Sequence, residues 1–566
     1  MSDGFASQYD EIVSKIPISR WISIGAGALI VYFLASAFLY GINRNYHHIV
    51  PEAIEYQNVN LAIALTESVY NLDEGHISHR KVYDTLRENG IAYFARFLEP
   101  LGVTFPENVS NPVLINNALT KASTLPPLDR PVKITHVEEI KPIEPNDVGM
   151  SEFYKVSFRI FGIRVQSFYL MYFLIFGSSV FLFYLRFFKF PVFASLLSLA
   201  VGLHFCMFVY LWEILPPEQR FGVGTPYAPR FISILGILPA LHIAVEIFRQ
   251  PKFSLVAVAC FLVQLSLLVW LLTMRGTVLW QVLWVALIIA CLALPFVGRC
   301  LVLKYADPLK MKLSLARFIR LPVFLFAIGV VGYSAYYTSS LNPLYRFSDE
   351  FLPAHMVWHS VYAGLEQHPE WTAKFGEAHT KNGVQQTGDN VPFIAAENFL
   401  KSNYDLDSSY YQSSVYLFRY RTLERVIKEA YFEFVRNNPE FVLELQFIYK
   451  PRAFLAALKA NVTSTFPNIP AVAWGGIVLS LGLLLLSAAR QRLEGLGDVR
   501  ALLVVLPFGA AMSLAPFFAT FASNSIIGDS FYMIILCAGA LLCLLPVLLL
   551  HNAVRFYKSR WGLYSV

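Results

Sequence analysis

Ten runs of about 20 apolar residues recur along this chain, and they limit its possible folds more than any other feature. They fall at about 21–42, 167–186, 191–212, 231–248, 253–273, 278–298, 318–338, 470–489, 501–522 and 531–550. At about 1.5 Å rise per residue, each matches a hydrocarbon core of about 30 Å as a helix. In lipid every backbone N–H and C=O must be satisfied within the segment, which a helix does and a loop does not. Hydrophobic residues make up 56% of the 566-residue chain and charged residues 15%, against about 25% charged in soluble domains. The expected fold is an α-helical polytopic membrane protein of about ten transmembrane helices with two mainly helical extracytoplasmic domains.

Lysine and arginine orient that bundle. If residues 1–20 form a cytosolic N-terminus, the cytosolic flanks hold eighteen basic residues, from Lys15 and Arg20 through the cluster between Arg299 and Arg320 to Arg555, Lys558 and Arg560. The short outer loops hold only Arg220, Arg230 and Arg275. Positive charge stays inside, so both termini are expected in the cytosol. The first run (21–42) is too long for a signal h-region and has no small-residue cleavage site after it, so it reads as a retained anchor. The formal charge of +6 is then mostly topology and needs no nucleic acid. The segments that follow are a first extracytoplasmic domain (43–166), a six-span block (167–338), a second extracytoplasmic domain (339–469), a three-span block (470–550) and a cytosolic C-terminus (551–566). The six cysteines lie in or beside the spans, so no disulfide framework is expected outside. The placement expected is an integral membrane protein of the bacterial inner membrane.

Just before the second span, SEFYKVSFRIFG offers Ser151 as an N-cap, an apolar stripe at Phe153, Val156, Ile160 and Phe161, and a polar one at Glu152, Lys155 and Arg159. Such a helix is expected in the outer interface, its basic face against lipid phosphate or an anionic lipid-linked substrate, or serving only as an elbow for the next span. Later, PAHMVWHSVYAGLEQ places His355, His359, Tyr362 and Glu366 at i, i+4, i+7 and i+11, one helix face, with Trp358 on an adjoining apolar face. The histidine pair suits three uses: a half-buried hydrogen-bonded network, contact to phosphate or sugar, or a metal site if a third ligand arrives. Acidic residues near the membrane are Glu52, Glu55 and Asp147. Each is a candidate catalytic base or ligand of a divalent cation, and each also suits a solvated surface. Within the spans His204, His242 and Glu246 are functional candidates by default, and the four-residue spacing of the last two predicts mutual pairing.

No P-loop, dinucleotide fingerprint, G-x-S-x-G elbow or H-E-x-x-H occurs, which excludes soluble nucleotide chemistry. In layout the chain resembles the glycosyltransferase-C superfamily: one span, a large outer loop with early acidic residues, an interfacial helix, many further spans and an aromatic-rich outer domain. The pieces NDVGMSEFYKVSFRIFG and WHSVYAGL are also similar to uncharacterised bacterial membrane proteins grouped loosely with it. The resemblance implies transfer of a sugar from a polyprenyl-phosphate donor at the outer leaflet, modifying an envelope glycan, lipid or protein. It implies Glu52, Glu55 or Asp147 as base and Lys155, Arg159, Arg164, Arg220, Arg230 or Arg346 at the phosphate. His355, Trp358, His359 and Tyr362 would line the sugar or acceptor cleft. The partners are then membrane lipid and the polyprenyl-phosphate sugar. The rival expectation is a non-enzymatic envelope assembly subunit whose outer domains bind a protein partner; a transporter is disfavoured by the scarcity of charged groups in the spans.

Overall fold

The computed structural model describes residues 18–45, 148–162, 166–213, 232–249, 254–306, 321–340, 357–381, 384–406, 416–465, 467, 469–494, 496–520 and 524–560. Nearly all of them are helical. Seven helices among these residues are long and apolar enough to cross a membrane. They account for seven of the ten apolar runs. The other three runs fall in the helices Pro191–Glu213, Leu279–Ala306 and Leu321–Ser340. Their apolar stretches among the described residues are Pro191–Met207, Gly276–Leu292 (with the turn before the helix) and Val323–Gly332. The chain is thus an α-helical integral membrane protein.

Eight helices lead to the second domain: α1 (Ile18–Asn45), α2 (Val148–Phe161), α3 (Gln166–Phe187), α4 (Pro191–Glu213), α5 (Ile237–Arg249, entered through a 3-10 turn, Ile232–Gly236), α6 (Leu255–Met274), α7 (Leu279–Ala306) and α8 (Leu321–Ser340). The span containing α5 is the centre: 89% of it is buried, against 33–50% for the other six. Its neighbours, rather than lipid, cover it, which is why it can carry His242 and Glu246. Where helices approach closely, small residues make room. Phe33 of α1 is fully buried between Gly202 of α4 and Gly476. A methyl group on Gly476 would fall 2.5 Å from that ring, and one on Gly202 2.8 Å.

Helix α2 packs against α3 and α6, and its buried face is wider than the expected stripe and omits one member of it. Phe153, Tyr154, Ser157 and Phe158 are buried, whereas Ile160 is 53% exposed. Rings of Tyr154 and Phe158 lie 4.5 and 5.0 Å from that of Phe168 on α3. Val156 and Phe161 of the expected stripe also pack against the core. The stripe thus holds at Phe153, Val156 and Phe161, widens to Tyr154 and Phe158, and fails at Ile160, which faces outward with Arg159. Gly162, at φ +87°, ends the helix in the left-handed conformation that glycine adopts without strain.

The second domain gathers α9 (Val357–Ala363), α10 (Trp371–Phe375), a two-residue hairpin β1–β2 (Thr380–Lys381 with Val384–Gln385), α11 (Val391–Tyr404), α12 (Tyr416–Asn437) and α13 (Pro439–Glu444). They close on their own apolar core, including Tyr362, Leu365, Trp371, Ala396, Leu423, Ile427, Phe441 and Leu445. A π-helical turn, Leu445–Tyr449, leads into α14 (Lys450–Thr465), and then α15 (Ala471–Glu494), α16 (Gly497–Ser513), α17 (Ala515–Ala519) and α18 (Asn524–Arg560) complete the bundle. Helix α14 packs across α4, α17 and α18, so the second domain is attached at the end of the bundle where α17 stops and α18 starts.

Candidate functional site

Three of the residues singled out in the sequence come together in the second domain. The carboxylate of Glu424, from α12, accepts the backbone N–H groups of Trp358 (3.0 Å) and His359 (3.1 Å). It thereby satisfies two of the orphan donors at the start of α9. This fixes the rotation of α9. Trp358 packs on the rings of Tyr431 and Phe432 (5.7 and 5.2 Å), with the Lys428 ammonium 5.7 Å from its ring. His359 is buried against Phe393 at 5.1 Å. Tyr362 lies within the core, 4% exposed, among Trp371, His379, Tyr431 and Phe434. Burial first, and the Glu433 charge second, push its hydroxyl pKa well up.

The expected face does not continue to Glu366. After Ala363 the chain tightens into a 3-10 turn, Gly364–Gln367, and the Glu366 carboxylate turns to accept the Gly388 N–H at 2.8 Å. The tightening occurs where Gly364 is pressed onto the bundle: a methyl group there would meet the Thr520 carbonyl oxygen at 2.6 Å and Lys450 Nζ at 3.3 Å. Lys450 donates to the carbonyls of Phe518 (2.7 Å) and Thr520 (2.8 Å), a cation at the C-terminal end of α17. Burial lowers its pKa to about 8. Nearby in the same domain, His379 donates from Nδ1 to the Phe375 carbonyl (2.8 Å), and burial lowers its pKa, opposed in part by that hydrogen bond.

Arg159 is exposed in the last turn of α2, and the backbone of Lys155 lies in the same helix; neither is shown against the second domain. Glu52, Glu55, Asp147, Arg164, Arg220, Arg230, Arg346 and His355 lie outside the described residues. Among those residues no group of three or more His, Cys, Asp or Glu side chains gathers in the manner of a metal site.

A second polar centre, beneath the attachment of that domain, was not singled out from the sequence. Asp529, in the first turns of α18, is 3% exposed. Its carboxylate accepts from the Ser233 hydroxyl (2.9 Å) and from the Trp280 indole N–H (3.3 Å), within Coulombic reach of Arg275. Gln281 donates to the Ser233 carbonyl at 2.7 Å. Beside this, the Tyr172 hydroxyl is 2.9 Å from His204 Nε2, and the His204 ring stacks on Phe176 at 3.9 Å and meets Tyr532 edge-on. Among the described residues nothing hydrogen-bonds His204 Nδ1. Six segments from α3 to α18 thus supply one buried carboxylate, one guanidinium and several hydroxyl, indole and imidazole groups. Such a set can take up or release a proton and can balance a second charge. Sequence reading passed over Asp529 because the apolar run was cut at residue 531, which left GDS in a loop; the helix in fact begins at Asn524.

At the opposite end of the bundle the charges pair differently from expectation. Glu246 is bonded not to His242 but to Arg186 of α3. His242 instead sits between Phe183 and Phe187, 3.5 Å from Gln264. Arg249 bonds Asp498 at 2.9 Å and lies 3.9 Å over the Phe190 ring, while Gln491 donates to Asp498 at 2.6 Å. Arg186 outcompetes His242 because a guanidinium is permanently charged and presents two donors to one carboxylate.

Comparison with known proteins adds no relative: no family model, no curated protein and no solved structure matches this chain.

Proposed function

We propose that the chain is a membrane glycosyltransferase that takes a sugar from a polyprenyl-phosphate carrier at the outer leaflet, with Asp529 as its general base. The observation that supports this reading is the Asp529 centre, a buried carboxylate with the half-buried guanidinium of Arg275 within Coulombic reach, under the attachment of the second domain. Ionisable groups at membrane depth are costly, and a functional site is the first explanation for them. The acceptor hydroxyl attacks the anomeric carbon, and the bond from that carbon to the carrier phosphate breaks with its electron pair on phosphate. The acceptor proton passes to Asp529. Arg275 balances the phosphate charge, joined in this reading by Lys155, Arg159, Arg220 and Arg346. Trp358 and His359, with His355 before them, flank the acceptor side, and Tyr362 braces them from the core. The reading carries with it ten spans, two extracytoplasmic domains, cytosolic termini, a bacterial inner membrane and an envelope glycan, lipid or protein as acceptor.

The test is transfer of labelled sugar from a polyprenyl-phosphate carrier by the full chain in proteoliposomes. Asp529→Asn lowers the rate about 10²–10⁴-fold, the usual contribution of a positioned base, and leaves the melting temperature within a few degrees of wild type. Loss in Glu52→Gln, Glu55→Gln or Asp147→Asn with Asp529→Asn active moves the base to the first domain. No transfer from any such carrier removes the reading.

One observation favours the rival, an envelope assembly subunit. Tyr404, Leu406 and Phe432 are 57%, 37% and 48% exposed, and the Asn403–Glu433 bond (3.2 Å) holds α11 and α12 together beside them. A chain that binds an envelope protein through Phe432 and transfers no sugar would fit that reading.

A further inference from the structure

Large apolar side chains are exposed on the segment that joins the second domain to the bundle: Leu443 at 56%, Phe447 at 76%, Ile448 at 40% and Leu455 at 61%. Two exposed cations, Arg452 and Lys459, follow on the same segment. Four large side chains left to water within thirteen residues would be an aggregation liability, so something of matching chemistry covers them.

The position of the segment says what that is. Lys450 is fixed to the last carbonyls of α17, at the end of the span Gly497–Ala519. Phe454 packs on Phe517, 5.2 Å between rings, and Leu458 and Val462 join the core of the bundle. Helix α14 therefore lies across the end of the bundle instead of standing away from it. Phe447 is less than one turn before Lys450, and the π-helical turn Leu445–Tyr449 widens the backbone there. A wider turn lets Lys450 point inward at the carbonyls while Phe447 and Ile448 point outward. The helix that follows α14 in the chain, α15, is a membrane span whose Val472, Val478 and Leu479 are 60–67% exposed.

We infer that the Leu443–Leu455 face is a lipid-binding surface: it sits in the membrane boundary on the second-domain side, its apolar side chains among acyl chains and Arg452 and Lys459 at anionic headgroups. An apolar face with cations beside it, at the end of a membrane bundle and followed in the chain by a lipid-facing span, is the arrangement of an interfacial helix. The surface would hold the second domain at a fixed tilt over the bundle. It stands independently of the glycosyltransferase reading.

The test uses the full chain in nanodiscs, with a Phe447→Cys variant labelled by an environment-sensitive fluorophore and corrected for labelling of the native cysteines. Lys401→Cys, exposed on α11, serves as the aqueous reference, and Leu455→Cys repeats the measurement should Phe447→Cys fold poorly. The expected result is a blue shift and strong quenching by brominated phosphatidylglycerol at 447 and 455, and neither at 401. Arg452→Gln with Lys459→Gln should weaken that quenching in phosphatidylglycerol discs and leave it unchanged in phosphatidylcholine discs. A label at 447 as accessible to aqueous iodide as one at 401 overturns the inference. So does protection that persists in detergent and rises with protein concentration, since a second copy would then cover the face. Quenching that ignores both lipid charge and the two Gln substitutions overturns the basic rim.

Discussion

The two ends of the bundle bury charge in different ways. At the end away from the second domain, acid and base are matched: Arg186 on Glu246, Arg249 on Asp498 with Phe190 beneath the guanidinium. At the domain-bearing end Asp529 is held by an alcohol and an indole, with Arg275 within Coulombic reach, and His204 and Tyr172 pair beside it. A matched pair clamps helices, here α3 to α5 and α5 to α16, and loses most when one partner goes. A carboxylate held by neutral donors is secured in place while its charge stays available to a proton or to a further group. The contrast teaches that burial alone does not mark a functional group; the identity of its partners does.

Breaking the clamp should have the largest effect. Glu246 is fully buried and the Arg186 side chain is 16% exposed. Glu246→Leu, leaving Arg186 without its carboxylate, is expected to destabilise by about 3–5 kcal/mol, while the double change Glu246→Leu with Arg186→Met recovers most of that. Thermal melting in one detergent checks both. If the double variant melts as low as the single one, the pair is doing more than clamping, and the contrast between the ends weakens.

The polar centre should respond less, and to chemistry more than to charge. Asp529→Asn can turn its one amide oxygen to the Trp280 N–H and donate its NH2 to the Ser233 hydroxyl oxygen, which can accept as well as donate, so its melting should stay close to wild type. Asp529→Leu strands both donors and should cost about 1–3 kcal/mol. Equal losses in the two variants would mean that the negative charge itself holds the helices, making this end a clamp as well.

The parts of the molecule that were legible in the sequence are those where one physical demand dominates. Apolar length gave the membrane helices. In RNNPEFVLEL the break before Pro439 is present, with α12 ending at Asn437 and α13 opening on the proline, because a proline ring suits the first helical turn and not the interior. What could not be read was rotation and partner choice. The stripe on α2 was drawn through Ile160 because the sequence does not say which helix will lie beside it. His242 was matched to Glu246 by spacing within one helix, whereas Arg186 reaches Glu246 from another. Asp529 escaped notice because it stands just before an apolar run, and its partners Ser233 and Trp280 lie 296 and 249 residues away. His359 and Tyr362 were placed on one helix face with Trp358 on an adjoining one, and that face turns inward: His359 and Tyr362 are both buried, with Glu424 holding the start of α9.

The smallest effect, and the one that ties the two comparisons together, belongs to Lys450. Its ammonium joins the second domain to the bundle through the carbonyls of Phe518 and Thr520, and burial lowers its pKa from 10.5 to about 8. Between those values the freed chain holds a proton that the docked state releases, so stability rises with pH across that window. Below about pH 8 both states carry the charge and the cost of burying it is felt in full; above about 10.5 neither does. A neutral amine still has two hydrogens for the two carbonyls, so the docking bonds survive deprotonation. The expected outcome is a modest gain in protection of the α9–α14 region between pH 8 and pH 10, after correction for intrinsic exchange, read by hydrogen exchange. Lys450→Met should lower protection of the same region at every pH and flatten its pH dependence. A slope of the same size in Lys450→Met would assign the titration to another group, and falling protection as pH rises would show that the ammonium charge itself is what α17 binds.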